Sequence, residues 1–129
     1  MKLTKKNCIH LYREMLRLRR FEEHVRDLFA AGRLPGFVHL YLGEEAIAVG
    51  ACAATNVDDY LTSTHRGHGH VLAKGGDPKR MFAELYAKVT GYNKARGDPV
   101  WRGKPGAGSG RGAEGCVRLS LSWHYRGKT

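Results

Sequence analysis

Thr62-Ser63-Thr64-His65-Arg66-Gly67-His68-Gly69-His70 is the stretch on which the reading of the chain turns. Three imidazoles, one guanidinium, two glycines and three hydroxyls in nine consecutive residues gather hydrogen-bond donors where the backbone can approach a ligand closely. Asp58-Asp59-Tyr60-Leu61 before it reads as a turn running into a short strand. Val71-Leu72-Ala73-Lys74 after it reads as helix, stopped by Gly75-Gly76. A strand feeding a polar loop that opens a helix directs free N–H groups and a positive helix end outward, which favours an anion. Arg66 suits that role best, because its planar fork matches phosphate or carboxylate oxygens in pairs and stays charged near neutral pH. Two other readings compete. His65, His68 and His70 could ligate zinc, but their spacing lacks the CxxC or HExxH context of such sites. They could also be ordinary surface or core imidazoles, the reading that fits His70 at the helix start.

Toward the N-terminus, Thr4 is placed as an N-cap, and Leu11, Met15, Leu18, Phe21 or Glu22, Val25 and Leu28 recur at three- and four-residue steps. These predict an amphipathic helix of about 26 residues closed by Gly32. Arg33-Leu34-Pro35-Gly36 makes a turn, followed by the apolar run Phe37-Val38-His39-Leu40-Tyr41-Leu42. Taken by itself, His39 in that run reads as a satisfied core group. Gly43-Glu44-Glu45 opens a second helix. Its alanines and Gly50 predict burial on all sides, with Ile47 and Val49 as anchors. Beyond the central stretch, Asp77-Pro78 starts a further helix whose apolar face, Met81, Phe82, Leu85, Tyr86 and Val89, predicts helix up to Thr90-Gly91.

From Gly97 the agreement of local signals stops. Residues 97–129 hold 8 of the 17 glycines, two prolines and both tryptophans, and only Cys116 to Trp123 alternates like a strand, one without a partner. The tail is expected to be largely disordered. The chain thus divides into a domain at 1–96 and a divergent Gly/Arg-rich tail at 97–129.

The 129 residues suffice for one domain with a modest core. No apolar run has membrane-spanning length and the charged N-terminus lacks a signal-peptide pattern, so a cytoplasmic or organelle-matrix location is expected. Cys8, Cys52 and Cys116 are odd in number and scattered, which speaks for a reducing compartment. The net charge of +10 invites a nucleic-acid reading. Yet Arg13-Glu14 and Arg19-Arg20 with Glu22-Glu23 alternate sign on one helix, and no RNP-like, zinc-finger or helix-turn-helix pattern accompanies them. A basic nucleic-acid-binding module is therefore only an alternative.

Leu34-Pro35-Gly36-Phe37-Val38-His39-Leu40-Tyr41 with Gly43-Glu44-Glu45-Ala46, together with Thr62 to His70, resembles the alpha subunit of thiamine-diphosphate-dependent 2-oxo acid dehydrogenases, the acetoin type above all and the pyruvate type next. The resemblance covers residues 1 to about 96. It implies the N-terminal helical part of an α/β thiamine-diphosphate-binding fold, truncated and mostly helical as it stands. It also implies an alpha2-beta2 assembly with a beta subunit and transfer of an acyl group to a lipoyl-bearing acyltransferase. Arg66 resembles the arginine that contacts the cofactor diphosphate and lies near the substrate, and His65 falls at a cofactor-contacting position. His39 resembles an active-site histidine beside the substrate, which moves it from core residue to catalytic candidate. His68 is assigned a supporting position behind them. The family's Gly-Gly-Ser-Met-His segment does not follow Gly97, and the Gly-Asp-Gly motif that holds magnesium is absent from the sequence. The tail looks like translation in a shifted reading frame. The resemblance therefore implies an exposed apolar surface where the parallel sheet should be, weak or no cofactor binding and no activity for this chain alone. A non-catalytic fragment packing on a beta subunit is the remaining alternative.

Overall fold

The computed structural model describes residues 3–56, 59, 61–94 and 117–119. Four helices and two short strands follow in the order α1 (Lys5–Ala30), α2 (Glu45–Ala54), β1 (Leu61–Ser63), α3 (His68–Ala73), α4 (Pro78–Leu85) and β2 (Val117–Leu119). Among the described residues no helix is long and apolar enough to cross a membrane.

α1 begins where its sequence places the cap. The Thr4 hydroxyl accepts the Asn7 amide at 3.2 Å, satisfying one of the donors that a helix start leaves open. It ends in a Schellman motif, with the Gly32 amide donating to Phe29 and the Arg33 amide to Leu28, and Gly32 takes φ +67° as the motif requires. Leu18, Phe21, Glu22 and Val25 form its buried face, so the ambiguous Phe21/Glu22 position buries both residues. That face packs against Ala48 and Val49 of α2, Val71 and Leu72 of α3 and Met81 of α4, with Leu34 and Tyr41 from the connecting segments closing the core.

Three expectations change. The second helix is buried on one side only, through Glu45, Ala48, Val49 and Cys52, while Ile47 is 64% exposed. Among the described residues nothing packs over the face that carries Ile47. α4 stops at Leu85 rather than near Thr90, because Ala87 adopts φ +53° and closes another Schellman motif, its amide donating to Glu84 and that of Lys88 to Ala83. With alanine in the position that usually holds glycine, the stop signal was not legible. The strand in the tail is not solitary either. β2 pairs antiparallel with β1, Leu61 facing Leu119, Thr62 facing Arg118 and Ser63 facing Val117. The pairing supplies ladder hydrogen bonds that an isolated strand would lack. The rest of the tail, for which disorder is expected, lies outside the described residues.

Candidate functional site

Two segments 26 residues apart meet side by side. The first is the connection from Leu34 to Glu44, turned at Gly36 (φ +82°) and Gly43 (φ +89°). The second is the stretch Ser63 to His70, of which His68 onward is already helical, so α3 starts earlier than the sequence suggests. Arg66 reaches across and its guanidinium Nη1 donates to the carbonyl of Leu40. One position back, the rings of His39 and His65 stand edge to face, centroids 4.7 Å apart at 81°. One position on, Tyr41 lies edge to face with His70 at 5.4 Å and fills the space beside Gly69.

The first segment is itself anchored to α1. The Glu45 carboxylate accepts from Arg19 Nε at 2.6 Å and Nη2 at 3.0 Å, and from the Gly43 amide at 3.0 Å. The two-pronged guanidinium contact holds the Glu45 carboxyl well below the usual range, at about 2. Burial is the main reason that the Tyr41 phenol is pushed up to about 12 and that the His70 imidazole is lowered. Both are therefore neutral at ordinary pH.

His39, His65 and Arg66 are thus brought together at the surface, with the Arg66 and Glu44 side chains each 39% exposed and Arg66 Nε 3.8 Å from Glu44 Oε1. Two exposed imidazoles beside a half-exposed guanidinium make a donor-rich edge suited to phosphate or carboxylate oxygens. His68 is not part of it. Its ring is buried against Phe21, and Nδ1 lies 2.9 Å from Glu22 Oε1. Among the described residues no three His, Cys, Asp or Glu side chains gather where they could hold a metal ion.

Sequence reasoning missed four groups here: the Leu40 carbonyl, Glu44, Glu45 and Glu22. The first three depend on contacts between distant segments. Glu22 did leave a signal, a carboxylate on the apolar stripe of α1.

Residues 13–113 match the dehydrogenase E1 component family, and the chain belongs to that family, whose members depend on thiamine diphosphate. It is 55% identical over 95 residues, 74% of its own length, to the alpha subunit of acetoin:2,6-dichlorophenolindophenol oxidoreductase of Bacillus subtilis, and covers 28% of that relative. With the protein of the same name from Cupriavidus necator it shares 41% over 133 residues, 98% of this chain and 40% of the relative. The pyruvate dehydrogenase E1 component subunit alpha of Porphyra purpurea is 41% identical over 95 residues, 74% of this chain and 28% of the relative. The chain therefore spans well under half the length of these curated relatives.

Proposed function

We propose that residues 1–96 are the N-terminal part of the alpha subunit of a thiamine-diphosphate-dependent dehydrogenase that cleaves acetoin or decarboxylates a 2-oxo acid. In the intact enzyme a beta subunit completes the alpha2-beta2 assembly and the acyl group passes to lipoamide on an acyltransferase component. Residues 97–129 form a separate, divergent tail; the break in composition after Arg96 supports that division.

The observation that carries this reading is the meeting of His39, His65 and Arg66 at one exposed edge. Arg66 and His65 are the groups that would hold the cofactor diphosphate, the guanidinium because its paired N–H donors fit phosphate oxygens. His39, one residue from the carbonyl that anchors Arg66, would donate a hydrogen bond to a substrate oxygen as negative charge develops there. When bound, thiamine diphosphate supplies a carbon nucleophile and an electron sink. This chain's share is to bind and orient. A magnesium ion would neutralise diphosphate charge that one guanidinium cannot, and the Gly-Asp-Gly motif for it is missing from the sequence. The chain alone is accordingly proposed to bind cofactor weakly or not at all and to be inactive.

Calorimetric titration with thiamine diphosphate and magnesium, in the presence of a family beta subunit, tests the reading. Binding that disappears in Arg66→Ala is the expected result; equal binding in that variant, or none to the wild-type pair, would overturn it.

A further inference from the structure

Glu22 lies in the middle of the buried face of α1, between Leu18 four residues before and Val25 three after, and it is 0% exposed. One carboxylate oxygen meets His68 Nδ1 at 2.9 Å. A carboxylate can only accept, so the imidazole donates. The other oxygen, Oε2, is buried without a hydrogen-bond partner among the described residues. As a stability device this is poor. A buried carboxylate oxygen without a partner carries a desolvation cost that the bond of the other oxygen to His68 offsets only in part.

The pair links α1 to the stretch across 46 residues of sequence. His68 is the first residue of α3, directly after Gly67, whose cap position makes no side-chain hydrogen bond. Arg66 and His65 stand two and three residues before it. Beyond the other end of α3, Arg17 Nη2 donates to the Gly76 carbonyl at 3.3 Å, so α1 also holds the turn that follows the helix. A glycine cap leaves the direction of the incoming loop free to vary, and the Glu22–His68 bond removes that freedom.

We propose that Glu22 is a positioning residue. Through its hydrogen bond to His68 Nδ1 it fixes the start of α3, and so places the Arg66 guanidinium on the Leu40 carbonyl and the His65 ring against His39. The effect is on the geometry of the free chain. It deepens the reading of this edge as a diphosphate site but is measured separately from it.

The test uses the full 129-residue chain as wild type, Glu22→Leu, Glu22→Gln and, as a surface control on the same helix, Glu23→Gln. Far-UV circular dichroism and methyl dispersion establish folding. NMR cross-peaks between the His39 and His65 rings, and the Arg66 side-chain N–H shift, report the site. In Glu22→Leu the cross-peaks are lost and the Arg66 signal moves to its solvent-exposed position, although the fold remains. In Glu22→Gln, whose amide oxygen still accepts from Nδ1, both are kept, as they are in Glu23→Gln. Retention in folded Glu22→Leu, or loss in folded Glu22→Gln, overturns the proposal. If Glu22→Leu does not fold, His68→Leu removes the same bond from the other side, and the same loss is expected there. Should both leucine variants fail to fold, the pair is a stability element and the proposal is wrong. Titration with inorganic pyrophosphate gives a second readout: weaker binding in Glu22→Leu than in wild type accompanies the loss of the ring contact. A wild-type chain that shows the ring contact but, paired with a family beta subunit, binds no thiamine diphosphate would count against the diphosphate reading and leave the Glu22 result standing.

Discussion

The ring of Tyr41 occupies the space that a side chain at Gly69 would need: a β-carbon built there would lie 2.4 Å from Cδ1 and 2.5 Å from Cε1 of the tyrosine. Tyr41 is almost fully buried and cannot swing aside. This contact presses the Leu40–Tyr41 segment onto the first turn of α3 and keeps His39 beside His65. Gly69→Ala should therefore destabilise the chain by about 1–3 kcal/mol, the usual range for overpacking a core. Urea denaturation of the two proteins checks this, and a midpoint unchanged from wild type would show that Tyr41 yields.

The Arg19–Glu45 pair makes stability depend on acid. Glu45 has a folded value of about 2, below its ordinary 4.5, so its contribution is complete above that ordinary value and fades as the pH falls toward 2. Glu45→Gln should remove this part of the acid sensitivity. It should also lower stability at pH 7, by less than the loss of a fully buried pair would, because Arg19 is half-exposed and solvent screens the contact. Thermal unfolding of both proteins from pH 7 to pH 2 measures the difference, which should narrow toward the acid end.

At the end of α4 a left-handed alanine offers the opposite kind of substitution. Ala87 holds φ +53°, a conformation that costs an L-residue roughly 1 kcal/mol and glycine almost nothing. Glycine loses more freedom on folding, so Ala87→Gly should stabilise by a net ~0.5 kcal/mol. Denaturant midpoints of the pair decide the sign.

The two described cysteines differ in reach. Cys8 is exposed on the first turns of α1, whereas Cys52 is buried, its thiol donating to the His70 carbonyl at 3.8 Å and pushed by burial to about 11. Iodoacetamide at pH 8 should label Cys8 and spare Cys52, because the thiolate is the reactive form. Peptide mapping by mass spectrometry reads this directly. Equal labelling would mean that α2 separates from α3 on the timescale of the reaction.

Much of the local structure could be read in advance because its causes are local. Thr4, Asp77-Pro78, Gly32 and Gly75 act within one helical turn, and they mark the ends of α1, the start of α4 and the end of α3. The end of α4 was lost because Ala87 does a glycine's work, and the exposed face of α2 because its small residues suit burial equally well wherever a neighbour exists.

The sequence by itself determined most of the helix ends, the glycine turns and the donor-rich stretch with His65, Arg66 and His68, since periodicity, capping and motif spacing all lie within a few residues; His39 joined the candidates only through the family resemblance. Only the tertiary structure decided which donors share a site. His39 meets His65, and Arg66 meets Leu40, across 26 residues. His68 turns inward to Glu22 across 46. The physical reason is that the face a loop side chain presents follows from how the helices on either side pack. That packing is fixed by burial summed over α1, α2 and α3 together, which no single segment encodes.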